Sequence, residues 1–297
     1  MSEAIQERKH AMFSPSRIWA IAGNTFTQLV RMKVFYFMLI FTVIIIAVNF
    51  FFLGWTLEQE LKSMKDAAFG AMRIFSAVFA IVGTALLIPK DVEDRTLYTI
   101  LTKPVPRIEY LIGKLVGVLL LIAISLVMMA ALFFGVLWLR QNQIYADELL
   151  RQPNADPVAL KALVWEQGVR PDLLLVVVSL FLQAAVAAGV ALLVSTFASS
   201  TLFTIIVSLM IFLVGHAQAL ARGVWFPEEV THSPVARLLA GLVAILFPDF
   251  NQFNIFDGIA EGQAVPDGFV MRLGVLTFFY LTIYTIASWF VFAKKEL

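Results

Sequence analysis

The stretch IGKLVGVLLLIAISLVMMAALFFGVLW, residues 112–138, carries a single charged side chain, Lys114, and no proline. A helix of about 20 apolar residues crosses the ~30 Å hydrocarbon layer of a bilayer, so this stretch predicts a transmembrane helix. The rest of the chain agrees, because 60% of its 297 residues are hydrophobic and only 14% are charged. Soluble domains average roughly 25% charged residues. We therefore predict an all-α integral membrane protein.

Six segments have the length and apolar character of spanning helices: 34–55, 68–88, 112–138, 173–196, 201–220 and 272–292. They predict one transmembrane domain over residues 14–297, preceded by a poorly ordered N-terminus at 1–13. No signal peptide is predicted, because residues 1–33 lack an apolar core followed by a cleavage site. Only FASS, residues 197–200, joins the fourth and fifth spans, which predicts a tight helical hairpin.

The distribution of basic residues favours cytoplasmic termini. With the N-terminus inside, the short inner segments carry more Lys and Arg than Asp and Glu, close to the ends of the spans, as the positive-inside bias requires. We expect a multi-pass protein of a bacterial-type inner membrane. The formal net charge of +1 gives no indication of a nucleic-acid partner, and the absence of cysteine excludes disulfides and thiolate metal sites in this chain.

Residues 14–33, SPSRIWAIAGNTFTQLVRMK, are too polar to span a membrane. Their apolar residues fall near helical spacing, and Ser14 followed by Pro15 suits a helix start. This pattern predicts an amphipathic helix in the cytoplasmic interface of the membrane. The alternative is a simple extension of the first span into the cytosol.

A charged, proline-broken stretch, PKDVEDRTLYTILTKPVPRIEYLIGK at 89–114, separates the second and third spans. It predicts a short cytoplasmic helix at 91–103. Asp91, Glu93 and Asp94 lie at its start, where carboxylates oppose the helix dipole. The Lys-Pro pair that follows ends it, because a residue before proline avoids the helical conformation.

The predicted helix has a small apolar face made by Leu97, Ile100 and Leu101, which share one side at helical spacing. Such a face suits a groove on another protein. The alternative is a helix that rests on the lipid surface.

The same stretch resembles the signature of type 2 ABC transporter permeases. The residues that match the family pattern are Glu93, Arg95, Thr96, Leu97, Pro104, Arg107, Gly113 and Lys114. The resemblance implies the membrane subunit of an exporter, with the helix at 91–103 as the coupling helix that docks on an ATPase subunit. The implied contact residues are Asp91, Glu93, Asp94, Arg95, Thr96, Leu97, Tyr98, Ile100 and Leu101.

The resemblance also implies two permease subunits, either a homodimer or a related pair, with two copies of the ATPase. The sequence requires a separate ATPase if this is a pump, because no G-x-x-x-x-G-K-[ST] motif occurs in it. ATP and Mg are thus expected on the partner, no cofactor is expected in this chain, and the chain by itself is not predicted to be an enzyme. Membrane lipid is the other expected contact, and the transported substrate stays open.

The alternatives are a secondary transporter, an intramembrane enzyme and a membrane scaffold without transport. A secondary transporter needs ionisable groups deep in the bundle, and no Asp or Glu lies in the middle of a predicted span. No G-x-S-x-G elbow supports nucleophilic catalysis. Glu228, Glu229 and His232 are too few ligands for a metal site, and the other histidines lie elsewhere in the chain, so neither a catalytic nor a metal site is predicted.

Four residues with amide or imidazole side chains fall within predicted spans: Asn49, Gln183, His216 and Gln218. Polar groups at that depth face protein or a cavity. They are candidates for a substrate path or, alternatively, for interhelical hydrogen bonds. Arg73 is expected to snorkel towards the outer surface.

Two outer segments complete the prediction, a polar loop at 140–171 with a short helix in its middle, and a helical, partly re-entrant segment at 222–270. In the second, four rings recur at every third residue: Phe247, Phe250, Phe253 and Phe256. Asn251, Asn254 and Asp257 recur beside them, so rings and polar groups should face opposite sides. The segment is a candidate outer gate packed on spans five and six, or alternatively a surface loop.

Overall fold

The computed structural model describes residues 14–49, 57–93, 106–154, 156–198, 200–225, 235, 247–260, 265–266 and 268–294. The elements in these residues are α1 (Pro15–Val30), α2 (Lys33–Asn49), α3 (Leu57–Glu93), α4 (Arg107–Arg151), α5 (Pro157–Gln167), α6 (Asp172–Phe197), α7 (Thr201–Trp225), a 3-10 helix (Phe250–Phe253), α8 (Phe256–Ala260) and α9 (Phe269–Lys294). The predicted all-α class is confirmed for this part of the chain. Residues 1–13 lie outside it.

Five candidate membrane spans are present among the described residues: Glu60–Pro89, Arg107–Arg151, Pro157–Phe197, Thr201–Gln218 and Phe269–Ala293. They correspond to the predicted second to sixth spans. The predicted first span, 34–55, overlaps α2, which has 17 residues and ends where the described part of the chain stops. Because residues 50–56 lie outside the described part, the six-span layout stays a prediction.

The helices α3 and α4 continue well beyond the predicted spans. The segment 140–171, predicted to be a loop, is helical up to Arg151, and α5 is the short helix expected in its middle. A buried ion pair explains the extension, because Arg140 Nε lies 2.5 Å from Glu60 Oε1. Buried charges are tolerated when paired, so α3 and α4 stay packed where the sequence turns polar.

Ion pairs at both ends of α3 and α4 show that these helices are antiparallel. We call the end where α3 ends and α4 begins the proximal end, and the opposite end the distal end. The central helix is α6, which contacts α3, α4, α7 and α9. Its middle, AAVAAGVA at 184–191, is buried throughout, and such small side chains let helices approach closely. The tight hairpin predicted at 197–200 is confirmed, since α6 ends at Phe197 and α7 begins at Thr201.

The amphipathic helix predicted at 14–33 is confirmed as α1, which ends before α2 begins. Its apolar face lies on α4, where Ala22, Thr25 and Leu29 are buried. The two helices can come this close because Gly113 and Gly117 leave a groove on the surface of α4. A Cβ atom at position 117 would lie 2.6 Å from Thr25 Cβ and 2.7 Å from Ala22 O.

We predict that Gly117→Leu destabilises the protein by about 1–3 kcal/mol, as overpacking of a close contact does. Gly23→Leu is the matched control, because no atom lies within 4 Å of a Cβ at that position of α1. The measurement is thermal unfolding of the detergent-solubilised protein by circular dichroism. Equal melting temperatures for the two variants would contradict the close crossing of α1 and α4.

Candidate functional site

At the proximal end, the last turn of α3 is held against the first turns of α4. Lys114 Nζ lies 2.6 Å from Asp91 Oδ2, and the Tyr110 hydroxyl donates to the same oxygen at 2.6 Å. All three side chains are buried. A carboxylate taken out of water in this way requires both partners, because its desolvation is otherwise uncompensated.

Glu109 of α4 holds the start of α1. Its two carboxylate oxygens accept from Arg17 Nε at 2.6 Å and from Arg17 Nη2 at 2.7 Å, and Oε1 also accepts from Ser14 N at 2.7 Å. Such a bidentate arrangement fixes the angle as well as the distance between the two groups. The position of α1 at the proximal end therefore depends on this carboxylate together with the glycine groove.

Arg107 holds the end of α9. Its Nη1 donates to the carbonyl oxygens of Phe292 and Ala293, both at 2.7 Å. The last carbonyls of a helix have no intrahelical partner, and a basic side chain there satisfies them and opposes the helix dipole. The Phe292 ring is also stacked on Tyr110, with 6.0 Å between centroids.

Together these residues join four helices within the first two turns of α4. We call this set the proximal clamp; its members are Arg17, Asp91, Arg107, Glu109, Tyr110 and Lys114. Arg107 contacts α9, Glu109 contacts α1, and Tyr110 and Lys114 contact α3. The first two turns of α4 are therefore attached to α1, α3 and α9.

The structure changes the predicted coupling helix at its start. α3 continues to Glu93, so Asp91 belongs to the last turn of a long helix and does not cap a separate one. Because its carboxylate is buried against Lys114 and Tyr110, Asp91 is not part of a free docking surface. The side chain of Glu93 lies outside the described part of the chain. So do the remaining predicted contact residues, Asp94, Arg95, Thr96, Leu97, Tyr98, Ile100 and Leu101.

Two of the predicted polar residues meet between α6 and α7. Gln183 Nε2 lies 3.0 Å from His216 Nε2, and His216 Nδ1 lies 3.0 Å from the carbonyl of Phe212. An amide nitrogen only donates, so Nε2 accepts and the imidazole carries its proton on Nδ1. The two side chains thus form an interhelical hydrogen bond, one of their two predicted roles; the substrate path stays a prediction.

The other two polar residues are less fully described. Gln218 is buried, and its Oε1 has no hydrogen-bond partner among the described residues. Asn49 is the last residue of α2, and its side chain lies outside the described part.

The segment 247–260 follows the predicted alternation of rings and polar groups. Phe250, Phe253 and Phe256 are buried, whereas Asn251 and Asp257 are exposed. A period of three suits the 3-10 helix Phe250–Phe253, in which side chains three apart are aligned.

This segment docks chiefly on α6 and α7, the fourth and fifth predicted spans. The predicted contact with span five is therefore present, and the second main contact is with span four. The carbonyl of Pro248 lies so near Gly215 that a Cβ there would be 2.4 Å from it. Asn251 Nδ2 donates to the carbonyl of His216 at 2.5 Å, and Ser179 donates to the carbonyl of Phe253.

No group of three potential metal ligands is found in the described residues; the Glu228, Glu229 and His232 cluster lies outside them.

Sequence reasoning missed the proximal clamp, although its signal was available. Arg107, Glu109 and Lys114 are charges at the very start of a long apolar helix, and Asp91 ends the preceding one. Charges in such places need partners.

Comparison with known protein families matches residues 19–218 to the family described as ABC-2 family transporter protein. The chain belongs to this family. A comparison with curated proteins found no match. Members of the ABC-2 family are membrane subunits of ABC transporters, are not themselves catalytic, and generally work with an ATPase subunit. The matched range contains most of α1, all of α2 to α6 and most of α7. It includes the members of the proximal clamp on α3 and α4, but neither Arg17 nor the contact of Arg107 with α9.

We predict that Lys114→Met lowers the stability of this ABC-2 family protein by about 3–5 kcal/mol, because it leaves the Asp91 carboxylate buried without its cation. The double variant Lys114→Met, Asp91→Asn should regain most of that loss, since no buried charge is then unpaired. Denaturant unfolding of the three proteins measures both effects. A double variant as unstable as the single one would show that packing, and not charge, maintains the clamp.

Proposed function

We propose that the protein is the permease subunit of an ABC exporter, driven by an ATPase subunit that docks on residues 94–103. The observation that carries this proposal is the proximal clamp. Both ends of the segment between α3 and α4 are attached by ion pairs and hydrogen bonds to the rest of the bundle. A partner that pushes this segment therefore displaces α1, α3, α4 and α9 together.

The docking surface is supported by the sequence of the segment. Leu97, Ile100 and Leu101 share one helical face, and Pro104 separates that helix from α4. Because Asp91 binds Lys114 and Tyr110, the proposed contact with the ATPase begins after it. This contact consists of the apolar face and the charged residues beside it. ATP and Mg are then held by the partner, whose closure on nucleotide supplies the movement.

The same proposal includes two permease subunits, two ATPase subunits and transport out of the cell. The positive-inside bias supports a cytoplasmic proximal end, because Arg17, Arg107 and Lys114 lie there close to the helix ends. An ATPase can reach residues 94–103 only in that orientation. The membrane is then a bacterial-type inner membrane with both termini in the cytoplasm.

At the distal end, segment 247–260 is the proposed gate. It is attached to α6 and α7 by single hydrogen bonds from Ser179 and Asn251 and by the rings of Phe250 and Phe253. Hydrogen bonds contribute about 1 kcal/mol each, so a modest rearrangement of α6 and α7 releases the segment.

We predict that Leu101→Asp abolishes co-purification of the ATPase, because a charge in a desolvated groove costs several kcal/mol. The permease itself should still fold. Leu150→Asp is the matched control, because Leu150 is 80% exposed at the distal end of α4. Pull-down of the ATPase with each tagged permease gives the measurement. Full recovery of the ATPase with Leu101→Asp would contradict the proposed docking site. It would also contradict the proposal that the proximal end lies in the cytoplasm.

We predict that nucleotide binding loosens the gate. In the permease–ATPase complex, hydrogen–deuterium exchange of 247–260 should increase when a non-hydrolysable ATP analogue is added. Asn251→Ala should show the increase without nucleotide, by several-fold, since it removes about 1 kcal/mol of attachment to α7. Gln252→Ala is the control, because its amide contacts only Asp249 within the segment. If nucleotide does not change the exchange rate of residues 247–260, the proposal that this segment is a gate is wrong.

A further inference from the structure

A charged cavity lies beside the distal half of α3, where that helix faces α8. Its volume is about 400 Å³, within the ~300–1,000 Å³ of ordinary small-molecule sites. Two cations and two carboxylates line it: Lys62, Asp66, Arg73 and Asp257. The three on α3 are separated by four and seven residues, which places them on one face of the helix. Of these residues, only Asp257 belongs to a segment with a function proposed above, the gate at 247–260.

Arg73 and Asp257 are held in place by a common neighbour. Arg73 Nη2 donates to Asn254 Oδ1 at 2.5 Å, and Asn254 Nδ2 donates to Asp257 Oδ2 at 2.5 Å. The cation expected to snorkel is thus also bound to protein; its snorkelling stays a prediction. Since Arg73 has further donors and Asp257 is exposed, both groups remain able to bind a ligand.

The rest of the lining is apolar. Phe69 and Phe256 close the inner side of the cavity with buried rings, with 5.3 Å between centroids. Gly70 leaves the backbone of α3 uncovered, because no atom lies within 4 Å of a Cβ at that position. The cavity therefore combines charged groups of both signs with an apolar surface.

The cavity lies at the depth of a lipid headgroup. If Pro89 at the proximal end marks one boundary of the hydrocarbon layer, Arg73 lies about 24 Å away along the helix and Lys62 about 40 Å away. The layer is ~30 Å thick. The far boundary therefore falls between these two residues, with Arg73 about one turn inside it.

We propose that this cavity binds the zwitterionic headgroup of a phospholipid. The phosphate lies against Arg73, since the guanidinium group is a cation that proteins use for phosphate, and Lys62 adds positive charge at the outer rim of the cavity. The ammonium group lies against Asp66 and Asp257, and the first part of the acyl chains lies along the exposed surface of α3 at Gly70. This site belongs to the chain alone and does not depend on the proposed ATPase partner.

The test uses the purified full-length protein and native mass spectrometry with two short-chain lipids. Dioctanoyl phosphatidylethanolamine carries the ammonium group, and dioctanoyl phosphatidylglycerol lacks it. The wild type should bind the first about tenfold more tightly, a free-energy difference of about 1.4 kcal/mol. Asp257→Asn keeps an oxygen that accepts from Asn254 and removes the charge, so it should bind both lipids equally. Equal binding of both lipids by the wild type would overturn the proposal.

A second pair of variants separates the cavity from the stability of the fold. Gly70→Leu fills the open space without removing a charge and should weaken phosphatidylethanolamine binding at least about tenfold. Gly135→Leu makes the same substitution at an exposed position of α4 where no atom lies within 4 Å, and should leave it unchanged. Equal binding by these two variants would place the lipid elsewhere.

Soluble glycerophosphoethanolamine distinguishes a lipid from a free headgroup. It lacks acyl chains, so it should fail to displace the short-chain lipid at equal concentration. Displacement by this compound would identify a site for a soluble phosphate–amine compound and would overturn the assignment to a lipid.

Discussion

The buried ion pair between Asp91 and Lys114 is the contact on which the proximal end of the bundle depends. Tyr110 donates to the same carboxylate, so the end of α3 has only one low-energy position against α4. The neighbouring residues of α4 extend this attachment to α1 through Glu109 and to α9 through Arg107. Because a buried charge without a partner is costly, these helices separate only at a large free-energy cost, and they respond to a displacement as one unit.

The two ends of the bundle share one kind of contact and differ in others. A buried ion pair joins α3 to α4 at each end, Asp91 with Lys114 at the proximal end and Glu60 with Arg140 at the distal end. The distal end also has single hydrogen bonds to segment 247–260, aromatic contacts and a cavity of about 400 Å³. Between them lies α6, whose small side chains allow four neighbouring helices to pack closely. The proposed export cycle uses the contacts of the proximal end to receive movement and those of segment 247–260 to respond to it.

Most of the helices could be predicted from local properties of the sequence. Apolar runs located the described helices that could span a membrane, FASS located the hairpin between α6 and α7, and the three-residue recurrence of phenylalanine located the buried face of segment 247–260. What could not be predicted concerns charged residues. Asp91 looked like a helix cap because it begins a charged stretch, and Arg73 was expected only to snorkel because it stands alone in an apolar one. Their partners, Lys114 and Asn254, are distant in sequence or belong to another helix, so spacing could not reveal them.

The sequence alone determined the all-helical class of the described residues, the positions of their five long apolar helices and the resemblance to a transporter family, since these depend on composition and on short motifs. Only the tertiary structure decided what the charged and small residues do. Gly113 and Gly117 could have faced lipid, but they receive α1; Arg107, Glu109 and Lys114 could have contacted an ATPase, but they bind other helices of the same chain. The physical reason is that hydrophobicity is a property of each residue and its neighbours along the chain, whereas the pairing of a charge depends on which helix lies beside it.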